Sequence, residues 1–163
     1  MDEGNLGSSK FDINEDNILV DVEADSREDV IRQLGALLEK NGYVKGTFTE
    51  AVLKREVTFP TGLQTTVMGL AIPHTDTEHV KRSAVAIATL KRPVVFQAMD
   101  SPDVGVPVHV VMMLAVSDPK MVVHVLRKVL SILEDEEALH AFRKVRSRQE
   151  VREIVETHVQ NAH

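Results

Sequence analysis

The chain has 163 residues, a formal net charge of −6 from 19 basic and 25 acidic side chains, 43% hydrophobic residues and no cysteine. That is one domain's worth of chain, long enough to bury about two-thirds of its unfolded surface without staples. Disulfide scaffolds, cysteine zinc sites and thiol catalysis are excluded. Mild acidity argues against coating nucleic acid, and the longest apolar run, Val110 to Val116, is far too short to span a membrane.

The opening MDEGNLGSSK is acidic and polar, with no visible signal peptide, so a cytoplasmic protein is expected. Residues 1–15 read as a flexible arm and 16–163 as one domain. Ile18, Val20 and Val22 predict a short strand. After Asp25-Ser26, the spacing of Val30, Ile31, Leu34, Leu37 and Leu38 predicts a helix stopped at Asn41-Gly42. A second helix should start at Thr47, with Glu50 completing a capping box, and run to about Arg55, before Pro60-Thr61-Gly62. Strands are predicted over 67–72, 83–90 and 93–96, with the near-continuous apolar segment 106–116 as a central strand covered on both faces. Asp118-Pro119 opens a helix whose buried side carries Val122, Leu126, Val129, Leu130 and Leu133. The acidic run 134–137 breaks the chain before one last helix, or two short ones, over 136–159. Alternating helices and strands make the class α/β, one sheet covered by helices.

The segment Gly69-Leu70-Ala71-Ile72-Pro73-His74-Thr75-Asp76 carries the most chemistry. Pro73 cannot donate to a strand ladder, so pairing stops and His74 is presented beyond the strand end, where α/β folds place ligands. An imidazole near neutral at pH 7 can attack through one nitrogen while the other is anchored. The alternative is a loop histidine that only caps the strand.

The AIPH motif, the Lys54-Arg55-Glu56 segment and Pro60-Thr61-Gly62 resemble the IIA component of the sugar phosphotransferase system, fructose–mannitol superfamily. The similarity runs from about Ile18 to Val155, and PHTD at 73–76 with PVVFQAMD at 93–100 looks most like the galactitol-type branch. The resemblance implies a single mixed β-sheet with helices on both faces. It implies a phosphotransferase component that needs no cofactor, phosphorylated on His74 by HPr and passing the phosphoryl group to a sugar-specific IIB protein, and through it to a membrane IIC protein. Neither nucleic acid binding nor direct membrane insertion is implied.

Arg55 matches the family's basic residue before PTG, and its planar fork suits phosphoryl oxygens; otherwise it solvates the helix end. Thr61 and Thr75 are candidate donors to the phosphoryl group, although threonine is common in turns. Asp76 either orients His74 or is a turn residue. The family often carries a second histidine in an HLxxL pattern after the central strand. Aligning Val123 and Leu126 with its leucines puts Val122 at that position. His124 lies about 200° around the helix from it at 100° per residue, on the expected surface, so the second-histidine role is not assigned to it.

His109, inside the central strand, reads as a core or sheet-edge histidine bonded to backbone; His79, His140, His158 and His163 read as surface residues. Met68 and Met99 are candidates for an adaptable apolar partner surface, and Lys81-Arg82 and Lys91-Arg92 for contact with an acidic rim. Two rival functions are a regulatory phospho-switch of the same fold, as in the nitrogen-related branch, and a metal-dependent hydrolase built on His74, Asp76 and His79.

Overall fold

A computed structural model describes residues 13–159. Its centre is the apolar segment that the sequence marks as buried. This strand, β5 (Gly105–Ala115), lies between β4 (Ala84–Gln97) and β3 (Gly69–Ala71), with β1 (Ile18–Val22) and β2 (Gly62–Gln64) outside them in the order β1-β4-β5-β3-β2. The β4–β5 and β2–β3 pairs are antiparallel, while β1–β4 and β3–β5 are parallel. The sheet is therefore mixed, as the resemblance implies.

Both faces are covered. Helices α1 (Arg27–Lys40) and α2 (Phe48–Thr58) bury Ile31, Leu34, Leu38, Phe48 and Val52 against one face. Helices α3 (Val122–Leu130), α4 (Glu136–Phe142) and α5 (Arg148–Ile154) bury Val125, Leu139, Phe142 and Val151 against the other. Along β5 the side chains divide accordingly, Met112 and Leu114 to the second face and Val111 and Met113 to the first, the period-2 alternation of a strand. Helix α1 begins where its sequence indicates, with the Ser26 hydroxyl accepting from the Asp29 amide, and stops at Asn41 before Gly42, whose φ of 86° is left-handed.

Several expectations need correction. Residues 1–12 of the expected arm lie outside the described residues, but Ile13 is buried in the core and Asn14 caps a short 3₁₀ turn. The capping box at Thr47 does not form: the Thr47 hydroxyl bonds the His79 ring at 2.8 Å, and Glu50 pairs with Arg32. Helix α2 continues three residues past Arg55. The predicted strands at 83–90 and 93–96 are one strand, β4. Its pairing with β5 breaks between Thr89 and Val94, because Pro93 has no donor while the backbone stays extended through it. The strand predicted over 67–72 is only Gly69–Ala71, and β2 was not anticipated, because three residues carry no periodic signal. Asp118 and Pro119 start a 3₁₀ turn rather than α3 itself. The last helical region is two helices. Ser147 and Glu150 form a capping box at the second, which ends in a π turn at Val155–Val159.

The β2–β3 hairpin positions the site. Gly62 pairs with Ala71 and also meets Ala98, and a Cβ on it would lie 2.6 Å from the Gln97 carbonyl oxygen. Only glycine lets β2 approach the end of β4 this closely. Among the described residues, no helix is long and apolar enough to cross a membrane.

Candidate active site

β3 ends at Ala71, and the chain turns out of the sheet through Ile72-Pro73-His74. The Pro73 carbonyl accepts from the Leu114 amide at 3.0 Å, fastening this turn to the end of the central strand. The His74 ring then folds back, and its Nδ1 lies 2.9 Å from the Ile72 carbonyl oxygen. A carbonyl only accepts, so Nδ1 carries the proton and Nε2 keeps its lone pair. Among the described residues Nε2 has no hydrogen-bond partner, and it is not shut off from solvent. Burial holds the imidazole pKa below its ordinary value. The Ile72 bond opposes that, the Arg55 charge reinforces it, and the Asp76 charge opposes it. At neutral pH the ring is neutral, with an unprotonated, nucleophilic nitrogen.

Arg55 stands in the last turn of α2, close enough to influence His74 by its charge. Its guanidinium lies over the Phe59 ring, 5.0 Å from the centroid, and Nε is buried without a partner. A stacked guanidinium that spends no donors on the described residues is suited to receive an anion. His74 and Arg55, paired in the sequence reading, are thus brought to one place.

The supporting residues fare differently. Thr61 is 3% exposed. Its hydroxyl proton goes to Glu56, and its oxygen accepts from the Ile72 amide at 3.2 Å. It braces the loop rather than facing a phosphoryl group. Asp76 is exposed, and its side chain caps nothing. It acts on His74 through charge alone, since the Ile72 carbonyl performs the orienting. Thr75 is half-buried next to His74.

Glu56, which follows Arg55 in the sequence, also belongs to the site. It lies at the inner side of α2, 2% exposed, and accepts from the Thr61 amide at 2.7 Å and from the Thr61 hydroxyl. Burial pushes its carboxyl up to about 7, against the hydrogen bonds of Thr61 and the charges of Arg27 and Arg55. The signal in the sequence is a carboxylate in the last helical turn followed by PTG, a threonine placed just past the helix end to reach back to it.

Of the other histidines, His140 is exposed as expected, while His109 and His124 differ from expectation. His109 is the extra residue of β5 where its pairing with β3 shifts and faces residues 90–93 of β4, and its Nδ1 is buried without a backbone partner. His124 is half-buried with Nε2 shielded and unpartnered. The buried side of α3 includes Val125 and Lys128 as well as Val129, so it is wider than the apolar pattern indicates and reaches His124. His79 is bonded to Thr47, and His158 to Asp135 at 2.8 Å; His163 lies outside the described residues. Met68 is 2% exposed and belongs to the core, whereas Met99 is exposed. His74, Asp76 and His79 do not converge as a metal site. Among the described residues, the ligand atoms that do converge are those of Asp135, Glu137 and His158, where the Asp135 carboxylate already caps α4 and pairs with His158.

The sequence model of the family described as "Phosphoenolpyruvate-dependent sugar phosphotransferase system, EIIA 2" matches residues 13–158. The chain is 32% identical over 108 residues to the galactitol-specific EIIA component of Escherichia coli K12, covering 66% of this chain and 71% of that protein. The crystal structure of the mannitol IIA protein of Escherichia coli superposes with a TM-score of 0.71 at 25% identity, covering 89% of this chain and 99% of that one. The same fold occurs in the Escherichia coli complex of mannitol IIA with phosphorylated IIB, with a TM-score of 0.71, 24% identity and coverage of 89% and 97%. The chain belongs to the EIIA family of the sugar phosphotransferase system and is a phosphotransferase component.

Proposed function

We propose that His74 is the phosphoryl carrier of this EIIA component, charged by the phosphocarrier HPr and discharged to a sugar-specific IIB protein that works with a membrane IIC protein. The observation that carries the proposal is the bond from His74 Nδ1 to the Ile72 carbonyl, which leaves Nε2 as a solvent-open nucleophile within reach of the Arg55 charge. The P–N bond on the donor histidine breaks as the P–N bond to Nε2 forms, and the donor imidazole leaves with its electron pair. The Nδ1 proton stays on the ring, held by Ile72. No cofactor enters, because the phosphoryl group arrives already activated, and Arg55 stabilises the charge spread over its oxygens. Thr75, next to His74, is the remaining candidate donor, and Asp76 supports the site by charge. The carrier works in the cytoplasm and meets its partners in brief encounters through small interfaces.

The sugar is galactitol, supported by the 32% identity to a galactitol-specific EIIA component. The test is onward transfer: the phosphorylated protein is mixed with purified galactitol-type and mannitol-type IIB domains, and loss of its phosphoryl group is timed. Transfer at least about tenfold faster to the galactitol type is expected, a discrimination of about 1.4 kcal/mol. Preference for the mannitol type would overturn the sugar assignment, and no transfer to either would overturn the IIB partner.

A further inference from the structure

A chain of hydrogen bonds runs from the interior to the site. The Glu56 carboxylate accepts from the Thr61 amide and hydroxyl, the Thr61 hydroxyl accepts from the Ile72 amide, and the Ile72 carbonyl accepts from His74 Nδ1. Every link is buried except the last, which opens at the imidazole. The same carboxylate lies in the fields of two arginines, Arg27 and Arg55. Each keeps a buried nitrogen without a hydrogen-bond partner, Nη1 of Arg27 and Nε of Arg55. Glu56 therefore attracts Arg55 without consuming its donors, because its own oxygens are taken by Thr61.

We propose that Glu56 is a positioning residue for phosphoryl transfer, acting through Thr61 and the Ile72 backbone to fix His74 in its Nδ1-protonated form, and through its charge to hold Arg55 with its donors free. The proposal rests on His74 being the carrier. A backbone peptide alone leaves the loop free to move, and a one-ångström displacement at a reacting nitrogen costs a large factor in rate. Tying the Ile72 amide to a buried side chain removes that freedom. The Glu56 carboxyl itself changes charge as it gains or loses its proton. Its pKa of about 7 places that change in the range where the carrier works.

The experiment compares the full-length wild type with Glu56→Gln, Thr61→Val and Thr61→Ser, and uses His74→Ala as the control for the site. Phosphoryl uptake from phospho-HPr is measured as rate against donor concentration from pH 6 to 8, and the His74 tautomer is read from its ring ¹⁵N shifts. Glu56→Gln puts an amide donor against the Thr61 donors, and Thr61→Val deletes the link. In both, uptake should slow about tenfold at saturating donor, and the Nδ1-protonated form should lose its dominance. Uptake in the wild type should rise through pH 7, and this step should be absent in Glu56→Gln. Thr61→Ser should restore rate and tautomer. Wild-type rate, pH profile and tautomer in both Glu56→Gln and Thr61→Val would overturn the proposal while leaving His74 as carrier. If Glu56→Gln does not fold, the Thr61→Val and Thr61→Ser pair decides alone. If the wild type takes up no phosphoryl group, or His74→Ala takes it up as well, the carrier assignment falls and this proposal falls with it.

Discussion

The Nδ1 atom of His74 lies 2.9 Å from the carbonyl oxygen of Ile72, two residues earlier in the same loop. A histidine anchored by a backbone carbonyl needs no second histidine to choose its tautomer, which suits a chain with Val122 where the resemblance puts the family's other histidine. Phosphorylation should therefore occur on Nε2. Phosphorus-coupled ¹⁵N spectra of the phosphorylated protein should show the P–N coupling at Nε2, with Nδ1 still protonated; coupling at Nδ1 would contradict the geometry.

Burial lowers the His74 pKa below its ordinary value. A base with a lowered folded pKa stays neutral to more acidic pH, so the nucleophile is intact above that pKa and lost as pH falls through it. Its stability contribution has the same sign: full above the unfolded value, lost on acidification. Followed by its own ring ¹⁵N shifts, which separate it from the Glu56 step, His74 should titrate with a midpoint below the ordinary histidine value. A ring midpoint above it would mean that the ring is stabilised as imidazolium.

Arg55 makes no hydrogen bond among the described residues and stacks on Phe59. Arg55→Ala should slow phosphoryl uptake by about 10²-fold, the loss typical of a donor aimed at developing charge. Arg55→Lys should recover only part, since an ammonium lacks the planar fork. Thermal unfolding should shift little in either. A large loss of stability with unchanged rate would make Arg55 a helix-end residue instead.

Much of this arrangement is legible in the sequence. The run from 106 to 116 marks the central strand, the spacing from Val30 to Leu38 marks α1, and Pro73 before His74 marks a histidine set just past a strand. What escapes the sequence depends on partners far along the chain. β2 is three residues whose place is set by Ala71 and Ala98. Pro93 bends the ladder without ending the strand. Met68 and His124 look peripheral by local pattern and are drawn inward by the packing of the second face. Glu56 resembles an ordinary charged helix-end residue until the fold places Thr61 and two arginines around it.

Raising a carboxyl from its ordinary 4.5 to about 7 has a definite consequence for stability. The folded state binds the proton more tightly than the unfolded state, so this contribution is full below pH 4.5 and is lost as pH rises through about 7. At about 1.4 kcal/mol per pH unit, the loss approaches about 3 kcal/mol. Urea unfolding of wild type and Glu56→Gln across this range should show the wild type losing stability relative to the variant as pH rises. A constant difference would place the Glu56 pKa near its ordinary value.

The most direct measurement is the intact mass of the protein after incubation with phosphoenolpyruvate, enzyme I and HPr, beside His74→Ala. The account predicts an acid-labile gain of one phosphoryl group in the wild type and none in the variant. No gain in the wild type, or an equal gain in both, would contradict His74 as the carrier.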